Sequence, residues 1–178
     1  MSSVPKATNV TLGNGEAGNL ETVSIMSQVA RQASADPTIR TAALAIVGHL
    51  GSNDYLNEAL AIGQFVKDHV RYVKDPLGIE QLQDPRLLLA NATKGEAQGD
   101  CDDMSALTAA LLLSIGHQPY FKIVRYKSNS GSYNHIYTVV YEKNKADKVK
   151  TRLVLDCILK NYKIGSEVPY KSGREIAV

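Results

Sequence analysis

The segment Met104 to Ile115 constrains the fold most. It reads Met104, Ala106, Leu107, Ala109, Ala110, Leu111, Leu112, Leu113, apolar nearly all round a helical surface. A helix with no polar face is buried on every side, so this one belongs at the centre of a domain. Gly116 ends it. The residues before it are equally specific. Gly99-Asp100-Cys101-Asp102-Asp103 is a Gly-led turn that delivers a thiol to the start of the buried helix.

The rest of the chain supplies what must surround that helix. Residues 1–20 are rich in Ser, Gly, Asn and Thr and read as a mobile leader. Residues 21–178 read as one domain, with a helical part over 21–115 and a sheet part over 119–165. A first amphipathic segment, about 21–34, carries Val23, Met26, Val29, Ala30 and Ala33. Asp36-Pro37 caps and opens a second helix with Ile39, Ala42, Ala43, Ile46, Val47 and Leu50 at helical spacing. Asp54 caps a third helix, which runs into His69-Val70-Arg71-Tyr72-Val73, a stretch of strand character. Between 74 and 99 the chain is irregular, punctuated by Asp75-Pro76 and Asp84-Pro85, with a short helix from Pro85 to Ala92. A connection this long in a compact domain is usually functional, and it leads straight into the Cys101 turn. Strands are expected over Tyr120 to Tyr126, His135 to Glu142 and Thr151 to Cys157. The polar runs 127–132 and 143–148 join them, and 158–178 holds one short strand and a polar tail. Helices first and an antiparallel sheet last make an α+β domain.

Composition narrows the function classes. The chain has 178 residues and a formal net charge of +2, which gives no field directed at nucleic acid or a membrane surface. No apolar run reaches the roughly 18 residues of a membrane span. The first residues lack the apolar stretch of a signal peptide. Two cysteines make no disulfide framework, so a reducing cytoplasm is the expected compartment. Neither a P-loop nor a dinucleotide fingerprint is present.

A helix-borne Cys followed by a strand-borne His and a strand-borne Asp is the constellation of a thiol nucleophile, its base and the group that orients the base. Cys101 sits where the helix macrodipole favours thiolate, but Asp100, Asp102 and Asp103 oppose it. Activation therefore needs a nearby imidazole. His135 begins an alternating strand, with Tyr137, Val139 and Tyr141 on its side and Ile136, Thr138 and Val140 on the other. His49 and His69 lie in or at the ends of helices. His117 lies a whole helix length from Cys101, about 20 Å at 1.5 Å per residue. Asp156 is a carboxylate in the apolar run Leu153-Val154-Leu155-Asp156, costly there without a partner such as His135. Cys157 follows it and points to the opposite face, so both thiols are expected free. Bland readings stand beside each of these: an inert buried Cys, a surface His, a strand-end charge. Asp100, Asp102 and Asp103 also offer oxygens to a hard cation such as calcium, though without EF-hand spacing. A zinc site lacks paired ligands.

Gly99-Asp100-Cys101-Asp102-Asp103 opening an apolar helix, then Asn134-His135-Ile136-Tyr137, then Leu155-Asp156, resembles the transglutaminase-like cysteine-protease superfamily. The resemblance covers roughly 55–160 and is closest to bacterial and phage-borne single-domain members. The segment Val70-Arg71-Tyr72-Val73-Lys74-Asp75-Pro76 is similar to proteins of Mu-like prophages. The resemblance implies a papain/transglutaminase-like core, a Cys101, His135, Asp156 triad and thiol acyl transfer without a cofactor. Many members carry an aromatic, often Trp, after the His and another before the Cys as an oxyanion donor; this chain has no Trp. Tyr72 and Gln98 are the substitutes.

The expected function is a cysteine peptidase or amidase acting on a protein or peptide, cytoplasmic in a bacterial host or phage-associated. Phage structural proteins are candidate partners; nucleic acid and membrane are not. The alternatives are amine acyl transfer of the transglutaminase type, and a non-catalytic assembly or scaffold protein on the same fold.

Overall fold

A computed structural model describes residues 8–10, 15–75, 80–126, 133–143 and 150–178. The expected joining runs 127–132 and 144–148, and most of the leader, lie outside the described residues. Among the described residues five helices precede the main sheet: α1 Gly15–Ser34, α2 Pro37–Val47, α3 Tyr55–His69, α4 Pro85–Ala92 and α5 Cys101–Ser114. Strands β5 Pro119–Arg125, β6 His135–Lys143, β7 Lys150–Leu155 and β8 Ser172–Ala177 form one antiparallel sheet in the order β7-β6-β5-β8. Two small pairs stand apart. β1 Thr8–Val10 lies antiparallel to β3 Glu80–Leu82, and β2 Arg71–Tyr72 runs parallel to β4 Gln98–Gly99. The protein is α+β, with the cysteine-bearing helix packed on an antiparallel sheet and further helices N-terminal to it.

Helix α5 is central, as its composition requires. It touches α1, α2, α3 and α4 on one side and β5 and β6 on the other. Met104, Ala106, Leu107, Ala109, Ala110, Leu111 and Leu112 are all buried in one cluster with Met26, Ile39, Ile62, Leu88 and Phe121. A Schellman motif closes the helix. The amide of His117 donates to Leu112 O, the amide of Gly116 donates to Leu113 O, and Gly116 adopts φ +98°, which glycine permits without strain. At the other end Asp100 and Asp103 form a capping box.

The Pro-led helix starts are as expected. Asp36 accepts from the Thr38 amide ahead of α2, and Asp84 from the Arg86 amide ahead of α4. Asp54 differs: it precedes α3, but its carboxylate takes the Asn57 side chain instead of an amide of the first turn. Three further boundaries are corrected. Helix α1 begins at Gly15, not near residue 21, and residues 8–10 of the leader are a strand. Strand character in 69–73 is confined to Arg71 and Tyr72. The sheet runs past 165, because β8 pairs with β5 from Tyr120↔Ala177 to Arg125↔Ser172.

The two faces of the sheet follow the alternation of β6. Ile136 and Val140 join the main core with Leu153 and Leu155. Tyr137 and Val139 join Val124 and Val154 in a smaller outer cluster edged by Tyr126, Tyr141 and Tyr170. Among the described residues no helix is long and apolar enough to cross a membrane.

Candidate active site

The first two residues of β6 lie beside a gap in the sheet. The last β6–β7 pair toward the start of β6 is Thr138↔Leu155, so β7 has left before it reaches Ile136. The N-terminus of α5 fills the gap. Ile136 C=O accepts Ser105 Oγ at 3.3 Å, Thr138 Oγ1 donates to Ser105 C=O at 3.1 Å, and the Ile136 amide donates to the Cys101 sulfur. The helix is thus sewn to the strand, and the thiol lies one residue from His135.

His135 and Asp156 meet directly. His135 Nε2 lies 2.8 Å from Asp156 Oδ2, and both side chains are about 95% buried, with 5% and 4% exposure. A carboxylate only accepts, so the ring nitrogen facing it carries the hydrogen. This fixes the Nε2–H tautomer and leaves Nδ1 with its lone pair free. The other Asp156 oxygen takes the Ile158 amide at 3.3 Å. The imidazole sits between two tyrosine rings: Tyr126, stacked at 5.7 Å and 26°, and Tyr137, tilted at 5.5 Å.

The environment of the thiol is anionic. Burial first, then Asp102 and Asp100, push the Cys101 thiol well up. Burial also holds the Asp102 carboxyl far above the carboxylate range, helped by its hydrogen bond to Asp100. Both effects favour the protonated forms of the Asp102 carboxyl and the Cys101 thiol. The helix dipole is outweighed. Asp103 does other work. Its oxygens take the Gln83 amide and the Gln83 side chain, each at 2.7 Å, and the Asp100 amide at 3.4 Å. Burial raises it to about 6. A Cβ on Gly99 would come within 2.8 Å of the Asp103 Cβ, which is why a glycine leads the turn.

Of the three acids considered for a cation, only Asp100 and Asp102 gather with Cys101, their ligand atoms within 4.8 Å. Asp103 faces Gln83 instead. Two carboxyls and a thiol supply few of the about six to eight oxygens that calcium takes.

Tyr72 pairs in register with Gly99, two residues before the thiol, and is 39% exposed. Its phenol is raised by burial, then by the charges of Cys101, Asp100 and Asp102, so it faces the site. Gln98 is on the adjoining strand with an exposed side chain; its carbonyl accepts Gln83 Nε2. Cys157 is free and buried on the α5 side of the sheet, against Thr108 Oγ1 at 3.6 Å and Gly63 O at 3.5 Å. His117 sits at the far end of α5, its Nδ1 2.6 Å from Glu142 and its Nε2 3.3 Å from Glu58. Sequence reasoning missed Gln83 and Tyr126. Neither carries a local signal, because each is defined by a partner in a distant segment.

No protein-family model matches the chain, and no curated protein matches it. Among solved structures it is similar to a "putative protease" from Parabacteroides distasonis, with TM-score 0.54 and 9% identity over 86% of this chain and 39% of that one. It is also similar to a "putative cysteine protease" from Cytophaga hutchinsonii, with TM-score 0.47 and 15% identity over 79% of this chain and 40% of that one. The chain spans about two fifths of the length of each. At such low identity the first likeness shows the fold alone, an α+β fold shared with that structure.

Proposed function

We propose that the protein is a cysteine-dependent acyl-transfer enzyme, a peptidase or amidase acting on a protein or peptide. The observation that carries this reading is the buried 2.8 Å contact between His135 Nε2 and Asp156, on the strand whose next amide meets the Cys101 sulfur. In the proposed reaction His135 Nδ1 takes the Cys101 proton as Sγ bonds to the substrate carbonyl carbon. Asp156 accepts from Nε2–H and steadies the imidazolium that results. The Cys101 amide, with Tyr72 or Gln98, supplies donors to the oxyanion. The C–N bond then breaks, and the departing amine takes the proton from His135. Water resolves the acyl-enzyme with His135 as base; an amine in its place gives transamidation.

Because burial and the neighbouring Asp102 and Asp100 push the Cys101 thiol well up, proton transfer accompanies attack. No standing thiolate–imidazolium pair is required. The same fact supports a second reading, a non-catalytic assembly protein on this fold, in which the acidic collar keeps the thiol dormant. The two part in one experiment. The rate of Cys101 labelling by a thiol-directed electrophile near neutral pH is compared in wild type and His135→Ala. The enzyme reading expects a fall of about tenfold or more in the variant, the size of a general-base contribution. Equal, slow labelling in both proteins supports the dormant thiol.

A further inference from the structure

Among the described residues one hydrogen bond holds the His135 ring, at one point. The contact of Nε2 with Asp156 fixes where that nitrogen lies and leaves the ring free to turn about the bond. The direction of Nδ1 then depends on what packs against the ring faces. Tyr126 lies nearly parallel to the imidazole, at 26° and 5.7 Å between centroids. Tyr137 flanks it at a tilt of 43° and 5.5 Å.

The two tyrosines are held differently. Tyr137 is pinned by its hydroxyl, which donates to Glu167 Oε1 at 2.5 Å, and Glu167 is itself held by Arg152 at 2.8 and 3.0 Å. The Tyr126 hydroxyl is fully enclosed and has no hydrogen-bond partner among the described residues. Its backbone amide donates to Asn134 Oδ1 at 3.3 Å, which ties the end of β5 to the residue before His135. The ring of Tyr126 is thus placed by its backbone and by packing, against the ring of His135. Burial raises its phenol, and the charges of Asp156, Glu167 and Cys101 add to that, so the hydroxyl keeps its proton.

We propose that Tyr126 is a positioning residue for His135: its stacked ring sets the plane of the imidazole and so aims Nδ1 at the thiol. This rests on the Cys101, His135, Asp156 reading above. Tyr126 acts through His135 and need not touch substrate. The aromatic face does the work, so the enclosed hydroxyl is dispensable.

The test uses Tyr126→Phe and Tyr126→Leu in the full chain, with two readouts. The first is the pH profile of Cys101 alkylation. Tyr126→Phe is expected to match wild type, and Tyr126→Leu to react about tenfold more slowly at pH 7, the effect of a misaimed base. The second is the ring nitrogen spectrum of ¹⁵N-labelled histidine, with the His135 signals assigned by their loss in His135→Ala. The Nε2–H tautomer, held by Asp156, should persist in all three proteins, while the Nδ1 signal should match wild type in Tyr126→Phe and shift in Tyr126→Leu as that nitrogen loses its aim at the thiol. If Tyr126→Leu does not fold, Tyr126→Met removes the stacking face in the same way. A wild-type rate and a wild-type Nδ1 signal in the leucine or methionine variant overturn the proposal. So does a loss in Tyr126→Phe equal to that in Tyr126→Leu, which would move the effect to the hydroxyl. The nitrogen spectrum judges Tyr126 even if wild-type Cys101 proves no more reactive than in His135→Ala, so failure of the enzyme reading stays distinguishable.

Discussion

Replacing Asp156 by Asn tests the core of the site, because the structure gives its carboxylate two jobs. Oδ2 accepts His135 Nε2 at 2.8 Å, and Oδ1 accepts the Ile158 amide at 3.3 Å. An asparagine has only one oxygen. If that oxygen faces His135, the Nε2–H tautomer survives. The charge-assisted bond becomes a neutral one, at a cost of about 1–2 kcal/mol, or roughly tenfold in rate. If the oxygen goes to Ile158, the amide NH₂ faces Nε2 and forces it to accept. The hydrogen moves to Nδ1, and the base is blocked. The analogous error in a serine triad costs about 10⁴-fold. The shorter contact belongs to His135, but the Ile158 amide has no freedom to turn away, so the blocked tautomer is the expected outcome. The assay is the rate of Cys101 alkylation from pH 5 to 10, with a thermal melt to confirm folding. The variant should fold and should lose most of the rate near neutrality. A wild-type profile in Asp156→Asn would remove Asp156 from the mechanism and leave a two-residue site.

Three further outcomes are expected. Cys157, raised to about 12 by burial, stays a thiol at working pH and should resist alkylation in the native protein, so Cys101→Ser should abolish labelling detected by mass-spectrometric mapping. Asp103, raised to about 6 in the fold from 3.8, binds its proton more tightly folded than unfolded, so its contribution is greatest below about pH 4 and is lost as pH rises to 6. That difference amounts to roughly 3 kcal/mol at most. Urea midpoints against pH should show this slope in wild type and not in Asp103→Asn; parallel curves would refute it. His117→Ala removes the 2.6 Å contact with Glu142 at the far end of α5 and should cost about 1–3 kcal/mol of stability, with no change in Cys101 labelling. A change in labelling would mean that the two ends of α5 are coupled.

Local pattern determined much of this protein. The all-round apolar run of 104–115 dictates a central helix, because no other placement removes that much apolar surface from water. Asp-Pro pairs mark the starts of α2 and α4, because a short carboxylate and a fixed φ suit the first turn. Alternation in β6 assigns Ile136 and Val140 to the core and Tyr137 to the outer face, because strand side chains have a period of two. The order Cys101, His135, Asp156 carries the proposed chemistry, and a carboxylate just past the apolar end of β7 calls for a partner. What tertiary structure alone decided has a common cause: the partner is far away in sequence. Gly15, Gly18 and Asn19 are poor helix formers, yet α1 begins there. Asn19 Nδ2 reaches Tyr133 O across the fold, and packing overrides propensity. The three acids around Cys101 look alike in the sequence. Burial pushes the Asp102 carboxyl up, and Gln83, twenty residues before Asp103, claims Asp103 for the loop that leads into the site. Tyr126 reads as the polar end of a strand. It becomes a stacking partner of His135 only because β5 and β6 pair in the register Val124↔His135. Period and propensity are read along the chain; desolvation and ring contacts are set by which segments fold against one another.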